Sequence, residues 1–341
     1  MTRRTAVLGV GAVLLLVFAV VGVLVPVPYV AQVPGPTYNT LGDIAGAPII
    51  TVTGRTPNKT SGNLNLTTVG IPQRPLTLAR AVEGWFDDEV IVVPREEVYP
   101  SGKSEQQTQA ENRQEFLTSE QSAKAAALGR LGYPDKVVVS DLSGSSSPSK
   151  GKLQADDAID SVNGTPTPDQ PALAAALAAV PPGSTVPVGY TRDGQSGTAT
   201  ITTGKAQKGS GSALGVLVIQ APYAPFDVDI KVDDVGGPSA GLMLTLGILD
   251  KVGDTDLTGG AVLAGTGTID QDGTVGPIGG IPLKMIAARN IHAKLFLVPA
   301  DNCAEAKANA QPGLPMAKVA TLDDAVTALA DFRAGRCPPG C

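Results

Sequence analysis

Histidine is almost missing from this 341-residue sequence, His292 being the single example. One imidazole leaves little room for a Ser-His-Asp relay. His292 follows Asn290-Ile291 at the end of a predicted helix and reads as a boundary residue. Cysteine is scarce too: Cys303, Cys337 and Cys341 all lie near the C-terminal end, with no CxxC pair and no histidine at metal-ligand spacing. No metal site is expected from such a set. There is no block of Lys and Arg, and the net charge is −6, so nucleic acid is not an expected partner. No Gly-x-x-x-x-Gly-Lys-Ser/Thr loop occurs, so the sequence offers no ATPase and implies no cofactor. Aromatic residues make up 4%. The remainder, 43% apolar and 17% charged, is the composition of a folded protein.

What the N-terminus has in abundance is apolar length. After Arg3 and Arg4 no charged side chain appears until beyond Val30, and Ala6 to Val25 is an unbroken run of 20 residues without a polar side chain. At about 1.5 Å per residue this spans a hydrocarbon core of about 30 Å. A signal peptide is the competing reading, with a shorter apolar core of roughly 7–15 residues and a small-x-small cleavage site. This run leaves through Pro26-Val27-Pro28 instead, which favours an uncleaved single-pass anchor in the cytoplasmic membrane. Arg3 and Arg4 then stay inside, and everything after Val30 lies outside that membrane. In an oxidising compartment Cys303 is expected to bridge to Cys337 or Cys341, with Cys303–Cys337 the pair adopted; three free thiols are the alternative.

Residues 31–135 form a membrane-proximal α/β region with short strands at Pro48–Val52, Leu64–Val69 and Glu89–Val93 and a helix over Ser104–Leu131 that ends at Gly132. From 136 to 205 the pattern changes. A strand at Val137–Val139, a Ser/Gly/Pro-rich loop and a strand at Ala158–Val162 lead to the Asn163-Gly164 turn. A helix over Pro171–Val180 and strands Val186–Thr191 and Thr198–Thr202 follow. This order, with the run Leu153-x-x-x-Asp157-x-Ile159-x-x-Val162-Asn163-Gly164, resembles a PDZ domain. The resemblance implies binding of an extended peptide at a sheet edge. Gly129-Arg130-Leu131-Gly132-Tyr133 is a weak candidate for a carboxylate-binding loop and reads better as a helix C-cap.

The segment from about 208 to 335 carries the chemistry, leaving 336–341 as a tail. Strands are expected at Gly215–Ile219 and at Phe226–Val232, the latter running toward Asp233 and Asp234. The chain then passes through Gly236-Gly237-Pro238 into an apolar helix, Ser239–Val252, whose residues suit full burial. That places Ser239 in a first helical turn, beside unpaired N–H groups. The amides of Ser239, Gly237 or Gly236 are candidate oxyanion donors, because Pro238 has no N–H. A serine hydroxyl needs a base, and with histidine so scarce the candidate is an amine. Lys284 lies just inside a second helix that follows Gly279-Gly280-Ile281-Pro282, between apolar neighbours whose packing would desolvate it. Desolvation lowers a lysine pKa and so supplies the neutral amine a base requires.

The motifs Gly236-Gly237-Pro238-Ser239-Ala240-Gly241, Thr266-Gly267 and Pro277-Ile278-Gly279-Gly280 with Lys284 are similar in order and spacing to the proteolytic domain of Lon proteases. With the anchor and the PDZ-like segment, the chain resembles membrane-anchored, ATP-independent Lon-like peptidases. The resemblance implies an α+β fold, Ser239 as nucleophile, Lys284 as general base and Thr266 as a hydrogen-bond partner of that lysine. It also implies protein or peptide substrates with exposed or unfolded segments, and a homo-oligomer. One departure stands out: the family usually has Asp before Gly-Pro-Ser, where this sequence has Gly236. The alternative is a catalytically silent PDZ/Lon-like scaffold that binds peptides or partner proteins, which would not require Ser239, Lys284 and Thr266 together. The helix Thr321–Arg333, with a capping box from Thr321 and Asp324, is structural.

Overall fold

The computed structural model describes residues 3–206, 211–232 and 235–341; the expected strand continuation to Asp233 and Asp234 lies outside them. A helix, Arg3–Leu24, opens the chain. Its segment Val7–Leu24 is long and apolar enough to cross a membrane and is almost wholly outside the protein core. By length and composition it qualifies as a membrane span or as a signal sequence.

Two sheets follow. The first has six strands in the order 316–319, 296–299, 262–265, 63–70, 29–39 and 91–94. Its first four strands run parallel to one another, and the last two pair antiparallel. Strands such as Phe296–Pro299, buried on both faces, are the apolar runs that a covered parallel sheet requires. The N-terminal strands Tyr29–Asn39 and Asn63–Gly70 therefore belong to the same layer as the C-terminal segment. The expected separate region 31–135 shares its core with residues 226–329.

The second sheet is antiparallel, in the order 195–202, 185–192, 158–162, 135–142 and 216–222. Asn163 and Gly164 have φ of 49° and 79°, as the expected turn demands. One strand expected in the C-terminal unit belongs here instead: Val216–Pro222 pairs with Asp135–Leu142 and forms the sheet edge. The sequence order hides this, because the strand arrives after the rest of its sheet is complete.

A 26-residue helix, Glu105–Arg130, is common to both halves. Its Ser104–Gln107 capping box fixes the start, and Gly132, at φ 80°, ends it in the C-cap that Gly129–Tyr133 suggests. It packs on the helix Gly241–Val252 and also touches the edge strand Val216–Pro222. At the C-terminus Cys303 bonds to Cys341, not to Cys337, which is an exposed thiol. The Lys318 amide donates to the Pro339 carbonyl and brings the last residues back along the sheet, so Cys341 arrives beside Cys303. Closing this 38-residue span stabilises the fold by about 3–4 kcal/mol.

Candidate active site

Ser239 sits in a turn just ahead of a helix, not inside its first turn as the sequence suggests. The helix is Gly241–Val252, with Ala240 at its N-cap. The Ser239 carbonyl accepts from Gly267 N–H (3.0 Å) and from Thr266 Oγ1 (3.1 Å), both at the end of the strand Val262–Gly265. That carbonyl is thus held by the sheet, and the helical ladder begins only with Leu244 N–H to the Ala240 carbonyl. Leu242, Met243, Leu244, Leu246 and Ile248 are fully buried, so the serine is mounted on an element that cannot shift without disturbing the core.

Lys284 projects from the helix Ile281–Asn290 and is 3% exposed. Its Nζ lies 2.7 Å from Ser239 Oγ and 3.1 Å from Thr266 Oγ1. No carboxylate pairs with it among the described residues. Burial alone lowers its pKa from 10.5 to about 7. The direction of each hydrogen bond follows from valence. Thr266 has one hydroxyl proton, donated to the Ser239 carbonyl, so its oxygen accepts an N–H from Lys284. In the neutral amine the lone pair is then free to face Ser239 Oγ–H. The Thr266 side chain is itself fully buried and fixes this arrangement.

One of the candidate oxyanion amides is already committed. Gly237 N–H donates to the Asn112 carbonyl at 2.8 Å, so it is not available to a substrate. The Ser239 and Ala240 amides have no acceptor among the described residues and border the cleft. Asn112 comes from the long helix Glu105–Arg130, as does Ser119, whose Oγ donates to the Pro238 carbonyl at 3.0 Å. A Cβ on Gly236 would stand 3.0 Å from the Asn112 Cβ. The long helix thus leaves little room for a side chain at Gly236 and holds the loop through Asn112 and Ser119. Gly237, at φ 77°, takes the backbone turn that this grip requires.

Ser239 and Lys284 open onto a cleft of about 530 Å³ lined by Tyr38, Thr67, Val69, Gly236, Pro277 and Ile278 among others. The strand Asn63–Gly70 is paired with Val262–Gly265 only as far as Leu66. From Thr67 to Gly70 that edge carries no strand among the described residues, and it faces the cleft. Sequence reasoning brought Ser239, Lys284, Thr266, Gly236 and Gly237 to one place. It missed Asn112, Ser119 and this open edge. The only available signal was that Asn112 and Ser119 lie two helical turns apart and so share a face. His292 is exposed at a helix end, with φ 58°, and takes no part in the site.

Residues 223–330 match the Lon protease (S16) C-terminal proteolytic domain, so the chain carries a Lon-type serine peptidase domain. Among solved structures it is similar to the PDZ domain of the SdrC-like protein from Listeria monocytogenes. The two are 20% identical over 25% of this chain and 88% of that one, with a TM-score of 0.23. The corresponding PDZ domain from Listeria innocua is 21% identical over 26% of this chain and 100% of that one, with a TM-score of 0.24. No curated protein sequence matches the chain.

Proposed function

We propose that the chain is a membrane-anchored serine endopeptidase that cleaves exposed or unfolded protein segments outside the cytoplasmic membrane without ATP. The observation that carries this reading is the 2.7 Å contact between Ser239 Oγ and a buried lysine whose pKa lies near 7. At that value a sizeable fraction of Lys284 is neutral at physiological pH, against about one in a few thousand for a free lysine. The amine takes the Ser239 proton as Oγ attacks the scissile carbonyl, and the Ser239 and Ala240 amides stabilise the resulting oxyanion. Lys284 then passes the proton to the leaving amine. A water molecule, deprotonated by the same amine, hydrolyses the acyl-serine. The open edge at Thr67–Gly70 supports the substrate class: an extended, unfolded segment adds to it as a strand and lays its backbone beside Ser239. A silent scaffold leaves unexplained why a lysine is desolvated against a serine at a cleft floor, an arrangement that lowers stability.

The test is cleavage of an unfolded protein by the full chain in detergent. Ser239→Ala and Lys284→Arg should each reduce turnover by about 10³-fold or more while melting remains cooperative. Wild-type turnover should rise with pH through about 7 as Lys284 loses its proton. Undiminished cleavage by Lys284→Arg removes the lysine from the mechanism, since guanidinium stays protonated.

A further inference from the structure

The helix Leu78–Trp85 presents its apolar side to solvent. Ala81 and Gly84 face the protein and are buried, with Leu76 just ahead. Leu78, Val82 and Trp85 recur at i, i+4 and i+7 and form one stripe that is 48%, 40% and 61% exposed. Phe86, the next residue, is 86% exposed. The polar residues of the same helix, Arg80 and Glu83, line a cavity of about 990 Å³ instead. A water-facing helix would carry the opposite pattern.

Its position says what covers this stripe. Pro26 forms a β-bridge with Thr77, and Val27 N–H donates to the Leu76 carbonyl at 2.8 Å. The helix also touches the apolar helix Arg3–Leu24. It therefore begins at the level where the N-terminal apolar run leaves the hydrocarbon. Resting on the anchored reading of that run, we propose that Leu78–Phe86 lies in the interface of the same bilayer, with Leu78, Val82, Trp85 and Phe86 inserted at the acyl boundary. Tryptophan suits that depth, where its amphipathic ring meets both headgroup and chain, and phenylalanine adds apolar area on the buried face. Asp87, Asp88 and Glu89 follow directly, so the attachment is apolar and not a charge attraction to anionic lipid. The outcome for the fold is a second point of contact, which fixes the tilt of the sheets above the membrane and not merely their distance from it.

Trp85 is the only tryptophan, so its emission reports this helix alone. The experiment reconstitutes the full chain in phosphatidylcholine liposomes whose acyl chains carry bromine either near the headgroup or near the chain end. Most of the Trp85 emission should be lost with shallow bromines and less with deep ones, and high salt should not restore it. The variant L78D/F86D, altered only at exposed positions, should lose most of this quenching and still float with the liposomes. A chain that floats but keeps its full emission overturns the proposal and leaves the anchor standing. A blue-shifted emission with no bromine quenching overturns it in favour of contact with a second copy. A chain that fails to float overturns the proposal and the anchor together.

Discussion

Lys284 and Phe86 stand at opposite ends of the exposure scale from where their side chains ordinarily lie. Lys284 is 3% exposed and Phe86 86% exposed. Each is unfavourable in water taken alone: the lysine gives up hydration without gaining a counter-ion, and the phenylalanine gives up burial. The PDZ-like sheet is the ordinary case: its core of Val137, Val139, Ile159, Val188 and Ile201 is buried. Its buried charge, Asp157, is paired to Arg192 through bonds of 2.6 and 2.7 Å. The difference teaches where to look. A buried charge with a partner has its desolvation offset by pairing, whereas a buried amine facing only two hydroxyls has the environment of a candidate base. An apolar stripe turned outward beside a long apolar helix is the pattern of a contact surface, and the proposed contact is the bilayer.

The comparison breaks most sharply if the lysine charge is removed. Lys284→Met keeps most of the volume, abolishes turnover, and should make the protein more stable. The folded pKa of about 7 lies below the unfolded value of 10.5, so folding releases a proton. The resulting penalty is present in full below about pH 7, fades as pH rises toward 10.5 and is absent above it. At neutral pH it is on the order of 4 kcal/mol, from which the lost hydrogen bonds subtract. A gain of about 2 kcal/mol for Lys284→Met at pH 7, shrinking toward zero near pH 10, is the expected result in denaturant unfolding. Glu120, raised to about 7 by burial, titrates in the same range with the opposite sign. Glu120→Gln should therefore alter the stability profile while leaving the lysine limb of the activity profile in place. An unstabilised Lys284→Met would mean that the lysine is not strained by burial.

Thr266→Val tests the intermediate case, a buried hydroxyl that orients the amine without taking part in bond making. It removes one acceptor of a Lys284 N–H and one donor to the Ser239 carbonyl. Turnover should fall by about 10–100-fold, the effect of losing 1.5–3 kcal/mol of directed hydrogen bonding. KM should stay near its wild-type value, because Thr266 does not line the cleft. A KM effect without a kcat effect would count against the orienting role.

Much of this was legible in the sequence, for reasons that differ by element. The helix Leu322–Arg333 announced itself through a local device, the Thr321–Asp324 capping box, which the structure contains. Ser239, Thr266 and Lys284 were legible as linked motifs whose glycines and prolines punctuate turns, and the structure brings their side chains within hydrogen-bond reach. What stayed hidden was non-local pairing. Nothing in Val216–Pro222 says that it returns to Asp135–Leu142, and nothing in Tyr29–Asn39 says that it lies beside Asn63–Gly70 in the sheet of Val262–Gly265. The choice of Cys341 over Cys337 depended on how the tail folds back onto Lys318. Helix Leu78–Trp85 was missed because eight residues are little more than two turns, too short a window for periodicity to set a helix apart.

The smallest expected effect belongs to Ser119, which touches neither the dyad nor the cleft. Its hydroxyl donates to the Pro238 carbonyl, and a Cβ on Gly241 would meet its oxygen at 2.7 Å, so helix and loop are in close contact there. Ser119→Ala deletes one hydrogen bond and almost no volume, worth about 1 kcal/mol. If the long helix holds the loop in its productive shape, kcat should fall by about 3–10-fold with the lysine limb of the pH profile unmoved. If the helix instead restrains the loop, the same variant releases the Pro238 carbonyl, and kcat rises. Either direction assigns the helix a role at the site. Wild-type kcat from a variant that melts at a lower temperature would reduce Ser119 to a packing residue. The same helix also touches the edge strand of the PDZ-like sheet, so the sign of this change states whether an element shared with that sheet supports the Ser239 loop or holds it back.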